Sequence, residues 1–408
     1  MPRTPRLIRC LTVALAMPAA LPAQPRPISV RPVNTGNCAA AVATWWRNLG
    51  VGGRISCGAD PTRPAVLLVH GLHRDARTWT APSYVEYSYD YRGTPAAKTV
   101  SGPNAGILKV GASDWLYGAD RAGWDAATNW FDFLVAQGYT VATWSQPGLT
   151  FAEAVPSALA AFDSLVSNTR ARSPAAPPPV ALIGHSRGGL LMRRILKDKG
   201  SAGRVKWFVT LHSPHGGSDL GRWPGRLAAE ATGLASCCLP AWLAGPFKQA
   251  AGDLITEAMR PITKLAMDDE SRELIPDGPL LRDLAAGERA LPDVKYYTFG
   301  GVNPRMFRVY AWTFGAPVVN AGSVTTKATP REIDGASPIL DALRDFADEL
   351  TPGKGDALVS DQRSRLPWSI HTTDQLNHAE VLWDRPLQQR VVQLISPPVR
   401  TATVPLKP

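Results

Sequence analysis

Five short, nearly uninterrupted apolar runs mark the middle of the chain: Pro64–Val69, Tyr139–Trp144, Val180–Ile183, Val205–Leu211 and Val294–Phe299. A short run without polar alternation signals a strand covered on both faces. Between the runs, apolar residues recur at helical spacing. Trp124, Ala127, Phe131 and Leu134 precede Gly138, which suits a helix C-terminal cap, and Val155, Leu159, Phe162 and Val166 repeat the pattern with Pro156 near its start. Strands alternating with helices predict an α/β domain over 64–396, with a mostly parallel central sheet and helices on both faces.

Two stretches break the rhythm. Residues 83–124 are rich in aromatics and glycine (Tyr84, Tyr87, Tyr89, Tyr91, Trp115, Tyr117) and lack a strong period. They are expected to form a long surface excursion near a site. Within 218–291, the residues Trp242, Leu243, Phe247, Leu254, Ile255, Met259, Ile262 and Leu265 make an apolar helical stripe with a kink at Pro261. The stripe fits a helical cap and fits ordinary core equally well. The proline-rich tail, 397–408, is expected to be loosely ordered.

The N-terminus changes the picture of where the chain works. Arg3, Arg6 and Arg9 precede an apolar run from Leu11 to about Leu21 and small residues ending at Ala23. This order reads as a signal peptide over 1–23, because the run is too short to span a bilayer. The expected location is secreted or periplasmic, without a stable membrane anchor. Losing the three arginines lowers a net charge of +10 to about +7. The remaining charge is scattered in mixed-sign clusters such as Arg331-Glu332-Ile333-Asp334, and nucleic acid is therefore not an expected partner. Cys38 and Cys57, in the extension over 24–63, could bridge in an oxidising compartment, whereas Cys237 and Cys238 are adjacent. No cysteine has zinc-ligand spacing.

The most informative segment is Gly184-His185-Ser186-Arg187-Gly188-Gly189, which follows an apolar strand and precedes the apolar helix containing Leu190, Leu191, Ile195 and Leu196. A G-x-S-x-G pentapeptide alone is common. Between strand and helix it is the setting of a nucleophile elbow, in which a sharp turn lifts the serine Oγ above the sheet. Gly184 and Gly188 are expected where a side chain would collide with a neighbouring strand or helix. Two backbone N–H groups are needed for an oxyanion, and Arg187 and Leu72, the latter in Val69-His70-Gly71-Leu72, are the expected donors.

A base must follow the acid, which must follow the serine, so only His371 and His378 lie far enough along. His378, on the loop Leu376-Asn377-His378-Ala379-Glu380, is the better choice, with His371 the alternative. His212 and His215 precede any good acid candidate. Asp356, in Gly355-Asp356-Ala357-Leu358-Val359-Ser360, is the expected acid and Asp361 the alternative.

Taken together, Gly-His-Ser-x-Gly-Gly, His70-Gly71-Leu72, Ser213-Pro214-His215-Gly216-Gly217-Ser218, Gly-Asp-Ala-Leu-Val-Ser and Asn377-His378 resemble the bacterial secreted triacylglycerol lipases of the Pseudomonas and Burkholderia group. The likeness covers most of 65–395 and implies an α/β-hydrolase fold. It also implies Ser186, Asp356 and His378 as the triad, with Leu72 and Arg187 as oxyanion donors. Those lipases carry a structural calcium held partly by an aspartate two residues after the catalytic histidine. Here that position is Glu380, which can ligate calcium. The expected chemistry needs no cofactor.

The expected activity is cleavage of carboxylic esters through an acyl-enzyme, as a lipase or esterase acting on an ester at a lipid or polymer surface. Arg187, Glu380 and the aromatic excursion depart from the lipase pattern and leave room for a polyhydroxyalkanoate-type depolymerase. A non-catalytic lipid- or polymer-binding protein would be expected to lack a triad member, and none is missing.

Overall fold

The apolar runs form the middle of a seven-stranded sheet. A computed structural model describes residues 53–58, 60, 62–72, 75–80, 83–89, 95–101, 129–145, 150–200, 204–222, 269–304, 309–314, 318–320, 323–325, 328–333 and 347–396. In chain order the strands are β1 (Gly53–Ser56), β2 (Ala65–Val69), β3 (Ser83–Tyr89), β4 (Pro95–Ser101), β5 (Thr140–Trp144), β6 (Val180–His185), β7 (Val205–Leu211), β8 (Lys295–Gly301), β9 (Val309–Phe314), β10 (Val318–Asn320), β11 (Ser323–Thr325), β12 (Ala328–Ile333) and β13 (Ile370–Asp374). The helices are α1 (Arg77–Thr80), α2 (Trp130–Ala136), α3 (Phe151–Arg172), α4 (Gly188–Lys199), α5 (Asp269–Arg272), α6 (Pro279–Ala285) and α7 (Arg385–Ile395).

The large sheet runs β1-β5-β2-β6-β7-β8-β13. Only β1 is antiparallel to its neighbour; the other pairings are parallel. Side chains of successive strand residues go to opposite faces, which explains two separate cores. Ala65, Leu67 and Val69 of β2, with Val180 and Leu182 of β6, pack under α3 and α4. Val66 and Leu68, with Ala181 and Ile183, pack on the other face beneath α2 and α7. The three-layer arrangement is an α/β-hydrolase fold.

Local chemistry sets the helix starts. At α3, Thr150 accepts from the Glu153 N–H while the Glu153 carboxylate accepts from the Thr150 N–H. Asp384 caps α7 by accepting the Leu387 N–H at 2.7 Å. No helix among the described residues is long and apolar enough to cross a membrane.

Three features differ from the sequence expectations. The sheet already begins at β1, inside the segment read as an extension, because Gly-Arg-Ile-Ser at a sheet edge is too short and mixed to register as an apolar run. The excursion over 83–124 opens as an antiparallel pair, β3 with β4, where Tyr, Val and Thr favour extended backbone. Helix α2 starts only at Trp130, since Asn129 caps it by accepting the Asp132 N–H. Trp124 and Ala127, the stripe from Trp242 to Leu265, residues 1–23, the tail over 397–408, Cys38, Cys237 and Cys238 lie outside the described residues.

Candidate active site

Ser186 stands between β6 and α4 with φ +55°, a left-handed value rare for a residue with a side chain. Such backbone costs about 1–3 kcal/mol and persists only where its surroundings enforce it. Here the enforcement is visible. The Ser186 N–H donates to Leu211 O at 3.0 Å, and the Gly189 N–H donates back to Ser186 O at 3.0 Å. A Cβ at Gly188 would lie 2.2 Å from Val69 O, so the turn passes against the end of β2 with no room for a side chain. A Cβ at Gly184 would lie 2.7 Å from Met192 Sδ, on the α4 side. Gly188→Ala is therefore expected to destabilise the fold by about 3 kcal/mol or to displace the elbow. Denaturant unfolding and active-site titration check it; a variant matching wild type in both would contradict the close approach.

The loop after β2 lies over the serine. A Cβ at Gly71 would stand 2.7 Å from Ser186 Cβ and 3.2 Å from Oγ, which brings Leu72 into the serine's neighbourhood. His70 fastens this loop, with Nδ1 2.9 Å from Gly71 O. Burial pushes its pKa down to about 4, so it stays neutral. Arg187 is buried at the start of α4, and burial lowers its pKa to about 10, which leaves it charged near neutrality.

Two further loops meet beside the elbow. In the first, Asp356 is fully buried and its Oδ1 accepts the N–H groups of Leu358 at 2.9 Å and Val359 at 2.7 Å. In the second, Asn377 Oδ1 accepts the N–H groups of Ala379 and Glu380, both at 2.9 Å, so the turn carrying His378 is held from within. The loops are tied twice: the His378 N–H donates to Asp356 O at 3.0 Å, and His378 Nδ1 lies 2.8 Å from Asp356 Oδ2. His185, next to Ser186 in the chain, has Nε2 2.8 Å from His378 O, and the two rings are 4.7 Å apart. Burial pushes the Asp356 pKa up, but the imidazoles of His378 and His212 outweigh it and hold the carboxyl well below the usual range.

The alternative residues pair with each other instead. His371 Nε2 lies 2.8 Å from Asp361 Oδ1, and its Nδ1 lies 2.8 Å from Thr298 Oγ1. Thr373 Oγ1 donates to the same Asp361 oxygen at 2.8 Å, and Arg365 also binds this carboxylate. Both ring nitrogens of His371 are thus engaged within a structural cluster. Glu380 Oε2 accepts the Asn377 N–H at 2.9 Å, and among the described residues no group of three candidate metal ligands includes it.

One buried residue was passed over by chain-order reasoning. His212, at the end of β7, has φ +52° and is fully buried, with Nδ1 2.8 Å from Asp356 Oδ2 and Nε2 3.2 Å from Asp374 Oδ1. The N–H at Nδ1 is turned off the line to Asp356, so this contact is electrostatic rather than a well-aligned hydrogen bond. The sequence signal was available: His212 directly follows an apolar strand, at the same sheet end as the elbow.

A serine on left-handed backbone, the loop after β2 packed against it, and an imidazole beside a buried carboxylate are groups that acyl transfer uses.

No family model and no curated protein matches this chain. Among solved structures, it is similar to the mature form of a Bacillus licheniformis lipase at 17% identity and TM-score 0.40, covering 83% of this chain and 94% of that one. The same lipase's propeptide form matches at 15% identity and TM-score 0.41 over 85% of this chain; this chain spans about half of it, 53%. An esterase from Exiguobacterium antarcticum is similar at 10% identity and TM-score 0.34, over 85% of this chain and 96% of that one.

Proposed function

We propose that the protein is a serine hydrolase of carboxylic esters, with Ser186 as nucleophile, His378 as base and Asp356 as acid. The observation that carries this reading is the coincidence of Ser186 at φ +55° with an Asp356–His378 pair anchored beside it through His185. With Nδ1 on the carboxylate, Nε2 is the basic nitrogen. It takes the serine proton as Oγ attacks the ester carbonyl, and the N–H groups of Leu72 and Arg187 receive the oxyanion. The imidazolium then protonates the leaving alcohol. Water, deprotonated by the same nitrogen, releases the acid and restores Ser186.

A lipase or esterase acting outside the cytoplasm is the preferred form of this reading. It draws on the resemblance to the secreted lipases of the Pseudomonas and Burkholderia group and on the segment 1–23, and the same compartment would favour a Cys38–Cys57 bridge. The aromatic residues over 83–124 favour a polyester depolymerase as the second reading. Rates on nitrophenyl esters of two to sixteen carbons, on emulsified triglyceride and on polyhydroxybutyrate film separate the forms. Turnover of the nitrophenyl esters with preference for the emulsion supports a lipase. Preference for the film supports the depolymerase, and no turnover on any of them contradicts ester hydrolysis.

A further inference from the structure

The His212 side chain lies between two carboxylates. Its Nδ1 is 2.8 Å from Asp356 Oδ2, and its Nε2 is 3.2 Å and 3.4 Å from the two oxygens of Asp374. Carboxylate oxygens only accept, whereas a neutral imidazole has one donor nitrogen and one lone pair. A neutral His212 would bring its electron-rich, unprotonated nitrogen within 2.8 or 3.2 Å of a carboxylate, so the two anions favour a proton on both nitrogens. Protonating Asp356 instead is disfavoured, because Oδ1 already accepts two N–H groups and Oδ2 faces His378. The fold makes space for this ring at some cost. His212 has left-handed backbone with its N–H donated to Phe299 O at 2.8 Å, and a Cβ at Gly301 would fall 2.3 Å from His212 Cε1 and 2.9 Å from Asp356 Cβ.

We propose that His212 is a positioning residue for the ester-cleaving site: a protonated imidazole, wedged between Asp356 and Asp374, that fixes the acid and offsets its charge. The proposal rests on the reading of Ser186, His378 and Asp356 as the catalytic groups.

The charge count gives the consequence. The groups facing His378 are Asp356 from the acid loop, His212 from the end of β7, His185 from the end of β6 and, through His212, Asp374 from β13; Glu380 lies on its own turn. With His212 protonated, the two aspartates and one imidazolium leave a single net negative charge beside the base. Without it they leave two, an excess of negative charge that disfavours the neutral base the reaction needs. Asp374 also bonds the Leu376 N–H at 3.1 Å, so His212 links the acid loop to the strand that delivers the histidine loop. The electrostatics agree: burial pushes the His212 pKa down, but Asp356 and Asp374 outweigh it and raise it to about 9.

The test compares pH profiles of kcat/KM on a soluble nitrophenyl ester for wild type, His212→Gln and the double variant His212→Gln/Asp374→Asn. In His212→Gln, kcat is expected to fall roughly 10-fold with KM little changed, and the acid limb to move up by about one pH unit. The double variant removes one carboxylate for the lost cation, while Asn can still accept the Leu376 N–H, and should return the limb towards wild type. A purely structural role would reduce the titratable active sites without moving the limb. An unmoved limb, or one the double variant does not restore, overturns the proposal.

Should the glutamine variant not fold, nitrogen NMR of the wild-type histidines decides without substitution. His212 should keep both N–H groups through pH 8 and lose one near pH 9, and a neutral His212 at pH 7 overturns the proposal. The folded pKa lies above the ordinary 6.5, so His212's contribution to stability is complete below about pH 6.5 and lost as pH rises through about 9. Failure of the Ser186 assignment itself would appear separately, as wild-type turnover equal to that of Ser186→Ala.

Discussion

Ser186→Ala is expected to reduce kcat on a soluble ester by about 10⁴- to 10⁶-fold while leaving substrate binding and stability nearly intact. The size follows from what remains and what is lost. The loop through Gly71 and Leu72 and the start of α4 stay in place, so residual acceleration by backbone donors is retained. The acyl-enzyme route is closed, because the one hydroxyl held at the elbow is gone. Alanine tolerates the left-handed backbone no worse than serine, so unfolding free energy should change by less than about 0.5 kcal/mol. Stopped assays with purified variant, free of wild-type carry-over, give the number. A loss below 10-fold would mean that another group carries the reaction.

Asp356→Asn should cost about 10³- to 10⁴-fold in kcat. The side chain keeps its shape, and its carbonyl oxygen can still accept the N–H groups of Leu358 and Val359. The amide nitrogen then faces His378 Nδ1 as a donor, which moves the ring proton to Nε2, where the base must be free. Unlike Ser186→Ala, this variant should also be less stable, by about 3 kcal/mol, because it leaves the His212 charge buried with only Asp374 to offset it. Paired measurements of kcat and denaturant unfolding separate the two effects. Loss of activity without loss of stability would argue against a protonated His212.

The pattern of apolar residues carried the central strands well. β2, β5, β6, β7 and β8 lie within a residue or two of the runs that predicted them, since strands buried on both faces have nowhere to place polar side chains. β1 and β13 were not legible for the opposite reason. They edge the sheet, and Ile-His-Thr-Thr-Asp in β13 is only partly buried, so its polar residues mask the strand. The elbow was legible because its strand and helix are local in sequence, and the glycines report close approaches that composition alone does not.

Asp356 and His378 were reachable by chain order, and the structure brings them to 2.8 Å. His212 was not, because its role depends on Asp356 and Asp374, 144 and 162 residues further along, which only the parallel pairing of β7 with β8 and of β8 with β13 brings to it. His371 and Asp361 show the reverse. Both have plausible sequence positions, yet the fold commits them to one another beside Thr298 and Thr373.

Whether Ser186 is an activated nucleophile is decided by mass mapping after exposure to a fluorophosphonate. One adduct per chain is expected, on the peptide containing Ser186, formed rapidly in wild type, at least about 100-fold more slowly in His378→Ala, and absent in Ser186→Ala. An adduct on another residue, or equal labelling of all three proteins, would contradict it.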